Sequence, residues 1–314
     1  GGSPSGRYVV TTRSRVDQVP VSLLLNRNGV KVSTIETANV SSLPTGWQWP
    51  EPVILKAADG KTDIYGVVFR PTNFDPNKSY PVIDCSYGYC SPIGSFSNNH
   101  NRRMYLGPAV YAELGFIAVV IFGRGNDGLR DVTFSRYQEA VLPINPIFPI
   151  KYYKSDCIAG IKQLSQRYPY IDIDRVGVVE FGSIPTALSG LLIYPDFYKV
   201  GVSKNPKADL RMIPSNLGAP GWDGPQLADF AGNLRGKLLL THGLLDGLTP
   251  VAVTLRLTEA LQKANKRFDM LLLSDLGHGT SDYQTIRGWD YFVENLLGLE
   301  PPKDFYFSDI SEGQ

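Results

Sequence analysis

"DRVGVVEFGSIPTALSG" runs from Asp174 to Gly190. Its first half, Arg175 to Phe181, is a short apolar run rich in valine, which predicts a buried strand. Its second half continues as "TALSGLLIY" and predicts a helix. Between them lie Gly182, Ser183, Ile184 and Pro185. Proline fits the first turn of a helix, and serine caps a helix start. Strand, tight turn and helix together make one unit of a parallel α/β sheet.

The same alternation extends in both directions. Upstream, "DIYGVVFRP" and "YPVIDCSY" read as strands, "GPAVYAELG" as a short helix ending at Gly115, and "FIAVVIFGRG" as a continuous apolar strand closed by glycines. "KSDCIAGIKQLSQRY" has apolar residues at helical spacing. Downstream, "KVGVS", "GKLLLTHG" and "RFDMLLLSD" are strands, and "PVAVTLRLTEALQKAN" and "TIRGWDYFVENLLG" are helices. Strands without polar alternation, interleaved with amphipathic helices, imply a mostly parallel, doubly wound sheet covered on both faces. Proline-rich "VLPINPIFPI", Val141 to Ile150, interrupts the pattern and reads as an inserted loop.

Residues 1–49 differ. "YVVTTRS" and "VSLLLNRNGVKVSTIE" alternate in the β manner, with "RNG" as a hairpin turn, and a Ser/Pro/Trp-rich loop follows. The expected organisation is an N-terminal β segment over 1–49 and an α/β domain over 50–314.

Bulk properties exclude some classes. With 314 residues, 43% hydrophobic, the chain can bury a large core. A net charge of +1 gives no electrostatic case for nucleic acid or an anionic membrane. The longest apolar run, Phe116 to Phe122, is too short to span a bilayer. No stretch reads as a signal peptide, and "GGSPSG" at the start has no Met. Compartment stays open. Of Cys85, Cys90 and Cys157, the first two are close enough for a local disulfide, with free thiols as the plainer reading. His100, His242 and His278 are the only histidines, and none sits in a Cys/His cluster of metal-ligand spacing, so no metal site is expected.

Parallel α/β sheets carry their chemistry at the carboxyl ends of the strands. "LLLTHGLLDG" sets Asp246 in a loop just after a strand, and "LLLSDLGHG" sets His278 in a loop after the next one. An acid then a histidine, each beyond a strand, fits the Ser…Asp…His chain order of α/β-hydrolases. The acid would hold the imidazole tautomer and stabilise the imidazolium. Gly277 and Gly279 would let backbone pass close to the site.

From about Pro50 to Pro302 the chain resembles the catalytic domain of the prolyl oligopeptidase and dipeptidyl peptidase family of serine peptidases. The resemblance is carried by "AADGKTDIYGVVFRPTNFDPNKSYPVID", "AELGFIAVVIFGRG", "IKQLSQRYPYIDIDRVGV", "YPDFYKVGVS", "GNLRGKLLLTHGLLDG", "LTEALQKANKRFDMLLLSDLGHG" and "GLEPP". It implies an α/β-hydrolase fold, with residues 8–40 similar to the last strands of a preceding β-propeller whose remainder is absent. It implies Asp246 as triad acid, His278 as triad base, Tyr87 as the oxyanion tyrosine, and Arg124 and Gly125 as structural residues of a loop. The neighbourhood of Tyr87, "SYGYCSP", departs from the family's Tyr–x–Gly–Pro. The resemblance also implies short peptide substrates, often with proline near the cleaved bond, no cofactor, and homodimers. An extracytoplasmic setting is one option it offers.

The nucleophile does not carry over. Anchoring on "DRVGV" places Gly182 where the family has serine, within an elbow that elsewhere reads Gly–x–Ser–x–Gly–Gly. The elbow is a strained strand-to-helix turn, so residues two before and two after its apex must be small. With Gly182 at the apex those residues are Glu180 and Ile184; with Ser183 they are Phe181 and Pro185. A shift of one residue moves a hydroxyl ~3.8 Å along the chain, whereas a nucleophile must lie within ~2.6–3.2 Å of its base. Ser183 has the alternative role of helix cap. Glu180 and Ile184 become candidate pocket residues. Glu180 could pair with His278 or stand in for the nucleophile, against the plainer reading that it reaches solvent or a nearby arginine. Dipeptidyl peptidases follow the acid with Asp-Asn, but Gly247 and Leu248 follow Asp246.

Three functional readings stand: a domain that has lost amide hydrolysis and binds or assists, an active peptidase or esterase using Ser183, Asp246 and His278, and a non-covalent enzyme using the His278–Asp246 dyad as general base. The expected partner is a peptide or small molecule.

Overall fold

The computed structural model describes residues 2–86, 102–124, 147–181, 186–212 and 225–303. Eight strands form the central sheet: β4 (Glu51–Lys56), β5 (Asp63–Phe69), β6 (Tyr80–Asp84), β7 (Ile117–Phe122), β8 (Ile171–Phe181), β9 (Val200–Lys204), β10 (Lys237–Gly243) and β11 (Asp269–Leu273). Their order across the sheet is β11-β10-β9-β8-β6-β7-β5-β4. β5 pairs antiparallel with both β4 and β7, and every pair from β7 to β11 is parallel. The inversion of β6 and β7 relative to chain order, with an antiparallel second strand, is the α/β-hydrolase arrangement.

Strand β7 shows why these runs lack polar alternation. All six of its residues are buried. Ile117, Val119 and Ile121 belong to one core, and Ala118, Val120 and Phe122 to the other. Side chains alternate across a strand, so a sheet covered on both faces demands apolar residues at every position. The first core lies under α2 (Ile147–Arg167), α3 (Thr186–Ile193) and α4 (Val251–Lys263), through residues such as Ile161, Leu188 and Leu257. The second lies under α1 (Arg102–Glu113) and α5 (Asp282–Phe292), through Tyr111, Ala112, Tyr291 and Phe292. Full burial of a leucine, isoleucine or phenylalanine among them stabilises the fold by roughly 1.5–3 kcal/mol.

Residues 147–150 of the expected loop Val141–Ile150 are helical, and the rest of it lies outside the described residues. Helix α2 already begins at Ile147, with Pro149 in its first turn, where a missing N–H costs no helical bond. Cys85 is a half-buried free thiol and Cys157 a buried one; Cys90 and His100 lie outside the described residues. Among the described residues one lysine–carboxylate pair is fully buried: Lys154 Nζ lies 2.7 Å from Asp84 Oδ2, which also accepts the Tyr198 hydroxyl at 2.6 Å. Among the described residues no helix is long and apolar enough to cross a membrane.

The N-terminal segment is a separate antiparallel sheet of β1 (Tyr8–Arg15), β2 (Gln18–Asn26) and β3 (Lys31–Thr37). At its second hairpin, Asn26 Oδ1 accepts the N–H groups of Asn28 and Val30, and Gly29 takes φ +77°. Tyr8, Val9, Val10, Val32 and Ile35 are exposed. Val16 and Leu23 are the buried apolar residues of this sheet, and Val16 joins the second core.

Candidate active site

Strand β10 delivers the acid. It ends at Gly243, and the chain turns so that the Asp246 N–H donates to Gly243 O at 3.2 Å. Asp246 is only 5% exposed. Its Oδ1 accepts the N–H groups of Leu248 (2.9 Å) and Thr249 (2.8 Å), and its Oδ2 faces His278 Nδ1 at 2.8 Å. Two backbone donors fix the carboxylate plane before the histidine arrives. An ionised carboxylate only accepts, so Nδ1 of His278 carries the hydrogen and Nε2 is the ring's acceptor.

A second histidine stands behind the acid. His242 is fully buried, with Nε2 2.9 Å from Thr249 O and Nδ1 2.7 Å from Thr254 Oγ1. A carbonyl cannot donate, so Nε2–H donates to Thr249 and the Thr254 hydroxyl donates to Nδ1. Burial pushes the His242 pKa down, which keeps this ring neutral although its Nε2 is 3.8 Å from Asp246 Oδ2. Asp246 Oδ2 is thus left to pair with His278.

Strand β11 delivers the base, and the two loops touch main chain to main chain. Leu244 N–H donates to Leu273 O (2.8 Å) and Leu245 N–H to Leu276 O (3.0 Å). A Cβ on Gly243 would lie 2.3 Å from Leu276 O and 2.7 Å from Gly277 O, so only glycine admits this approach. Beyond His278, Ser281 caps α5 by accepting the Gln284 N–H at 3.1 Å. Asn205, at the end of β9, ties both loops together. It is fully buried at φ +49°, a region asparagine tolerates better than most residues. Its Oδ1 accepts from Gly243 N–H and its Nδ2 donates to Gly279 O, each at 3.3 Å.

Glu180 does not reach solvent and, among the described residues, finds no arginine, which was the plainer expectation for a strand-end acid. It is 2% exposed. Its oxygens accept the Ser203 hydroxyl and the N–H groups of Ala187 and, at 3.4 Å, Leu188 at the start of α3. Burial pushes its pKa up to about 7, partly offset by those hydrogen bonds and by Lys154. Phe181 is the last residue of β8. Gly182, Ser183, Ile184 and Tyr87 lie outside the described residues, as does Gly125. Arg124 spans Asp156, through Nε and Nη2 at 2.9 Å each, and Asp59, through Nη1 at 2.8 Å.

Asn205, His242 and Ser203 were not singled out by sequence reasoning. The usable signal was position: each sits within or just beyond the carboxyl end of a strand, where a polar residue interrupts an apolar run. Among the described residues no group of three or more His, Cys, Asp or Glu side chains is arranged to hold a metal ion. The assembled pair can accept a proton at His278 while Asp246 stabilises the resulting imidazolium.

Comparison with known proteins places this geometry. The model of the prolyl oligopeptidase family matches residues 103–297, more than half of the chain. Human dipeptidyl peptidase 8 is 26% identical over 272 residues, covering 79% of this chain and 28% of its own length. Dipeptidyl-peptidase 5 of Aspergillus oryzae is 23% identical over 313 residues, covering 91% of this chain and 41% of its own. A candidate dipeptidyl aminopeptidase IV from Bacteroides ovatus superposes with a TM-score of 0.75 at 27% identity, over 94% of this chain and 43% of that one. The chain therefore spans less than half the length of these relatives. With its hydrolase-ordered sheet and matched family model, the chain belongs to the prolyl oligopeptidase family.

Proposed function

We propose that this domain binds short peptides at the carboxyl edge of its sheet and no longer hydrolyses them through a serine nucleophile. One observation carries this reading: the bulky acid two residues before Gly182. An elbow apex needs a small residue there, and the Glu180 carboxylate is instead built into the start of α3 through Ala187 and Leu188. The alignment of Gly182 with the family's serine points the same way.

A second reading is favoured by the acid–base pair, which keeps His278 Nδ1 2.8 Å from Asp246 and two backbone donors on the carboxylate. In it, His278 acts as general base without a covalent step, or Ser183 attacks a carbonyl. In the latter case His278 takes and returns the proton, and Tyr87 with a backbone N–H holds the oxyanion.

Fluorophosphonate labelling separates these routes. The expected result is no adduct on Ser183, alongside measurable binding of a proline-containing peptide by calorimetry. Stoichiometric capture of Ser183 that disappears in His278→Ala would overturn the proposal. Turnover without labelling, lost in His278→Ala, would assign the general-base route. By the same resemblance, the sheet of residues 8–40 is the end of a β-propeller carried by a longer chain, residues 50–314 are the hydrolase domain, and the protein forms homodimers.

A further inference from the structure

The central sheet ends on β4 at one edge and β11 at the other, and the chain treats the two edges differently. Along β4 its own side chains bond the outward main-chain groups. Gln163 of α2 accepts the Lys56 N–H at 2.9 Å and donates to Lys56 O at 2.7 Å, and Arg167 donates to Ile54 O at 3.3 Å. The charges at its ends are matched within the chain too, Glu51 by Arg70 and Lys56 by Asp63. An edge covered in this way is blocked to another strand.

Strand β11 is open. Each residue of a strand directs its N–H and C=O to one side, and its two neighbours direct theirs to the other. Leu273 O accepts the Leu244 N–H, so Leu273, Leu271 and Asp269 face β10, while Met270 and Leu272 face away from it. No side chain of the described residues bonds the main chain of Met270 or Leu272, and Leu272 is 42% exposed. Arg267, just before the strand, and Asp275, just after it, are exposed, and neither side chain has an ion pair or hydrogen bond among the described residues.

We propose that β11 pairs with β11 of a second copy across a two-fold axis centred on Leu271, which joins the two sheets into one. This rests on the homodimer reading and adds the surface that the dimer uses. A two-fold axis normal to the sheet makes the paired strands antiparallel. Outward residues must meet outward residues for main-chain bonds to form, so the axis passes through a residue and not between two. Centred on Leu272, the pairing would set Asp269 opposite Asp275. Centred on Met270, it would set Arg267 opposite Leu273. Centred on Leu271, it lets Met270 exchange both main-chain bonds with Leu272 of the second copy, and the exposed Leu272 side chain lies on the same face as that methionine. Arg267 then stands opposite Asp275 at both ends. Of the three registers, this one alone matches the two charges that a single copy leaves unmatched.

The test is sedimentation velocity on the intact protein, titrated from about 1 µM to about 300 µM to cover a small interface. The expected result is a concentration-dependent dimer. Arg267→Asp and Asp275→Arg should each weaken it at least ~10-fold, and the double reversal should recover it to within ~3-fold. Both positions are exposed, so the variants keep the fold. Hydrogen–deuterium exchange gives a second readout that needs no variant: the amides of Met270 and Leu272 should gain protection as the dimer fills. A protein that stays monomeric overturns the homodimer reading and this interface together. A dimer indifferent to both reversals leaves the homodimer standing and removes β11 from it. A double variant that fails to recover, or outward amides that gain no protection, overturns the pairing as well.

Discussion

Glu180 is a buried acid whose two charge states differ in cost by a measurable amount. Burial raises its folded pKa to about 7 from an ordinary value of 4.5. A raised pKa means that its stabilising contribution is complete below pH 4.5 and is lost as the pH rises through 7. The difference corresponds to on the order of 3 kcal/mol. Wild type should therefore gain stability relative to Glu180→Gln as the pH falls from 8 to 5. Urea midpoints for both proteins at each pH check this, and parallel pH profiles would refute the assignment. At this scale the sequence was informative about chemistry and silent about direction. The order acid then histidine after successive strands marked Asp246 and His278, because only loops at the carboxyl edge can bring them together. Nothing in the text around Glu180 shows which way its carboxylate turns. That depends on Ser203, on the neighbouring strand β9, and on the free N–H groups at the start of α3.

The two dyad loops are each a few residues long, and their backbones are in contact. Gly243→Ala places a methyl group 2.3 Å from Leu276 O, so the loop carrying His278 must move. The expected cost is about 1–3 kcal/mol, as for other overpacked sites, together with loss of the hydrogen bond between His278 and Asp246. Gly247→Ala is the control: no heavy atom lies within 4 Å of its added carbon, and the change should stay within about 0.5 kcal/mol. Chemical denaturation measures the energies, and the downfield Nδ1 proton signal of His278 reports the pairing. The strands and helices around these loops were readable in advance because two-sided burial writes itself as uninterrupted valine, isoleucine and leucine. The early start of α2 was not, since proline at a helix start and proline in a loop look alike until the hydrogen bonds are known.

Across the molecule, stability is unevenly spread. The eight-stranded sheet is sandwiched between two cores, whereas β1–β3 contributes little buried apolar surface and leaves valines and a tyrosine in water. A three-stranded sheet with so little to bury is close to the limit of independent stability. Amides of β1–β3 should exchange with solvent at least ~100-fold faster than those of β6–β10, as read by hydrogen–deuterium exchange. Uniform protection throughout would mean that the meander is locked to the larger body. The alternation that predicted its strands carried no information about what covers them. The main-chain contact between the dyad loops reaches further still. Leu244 and Leu245, exposed beside the acid, hold the loops together through their backbone amides. Evolution can therefore redraw the chemical character of the rim one residue at a time without disturbing the proton-handling pair beneath. A library randomised at these two leucines would sample new ligand preferences above an unchanged His278–Asp246 pair.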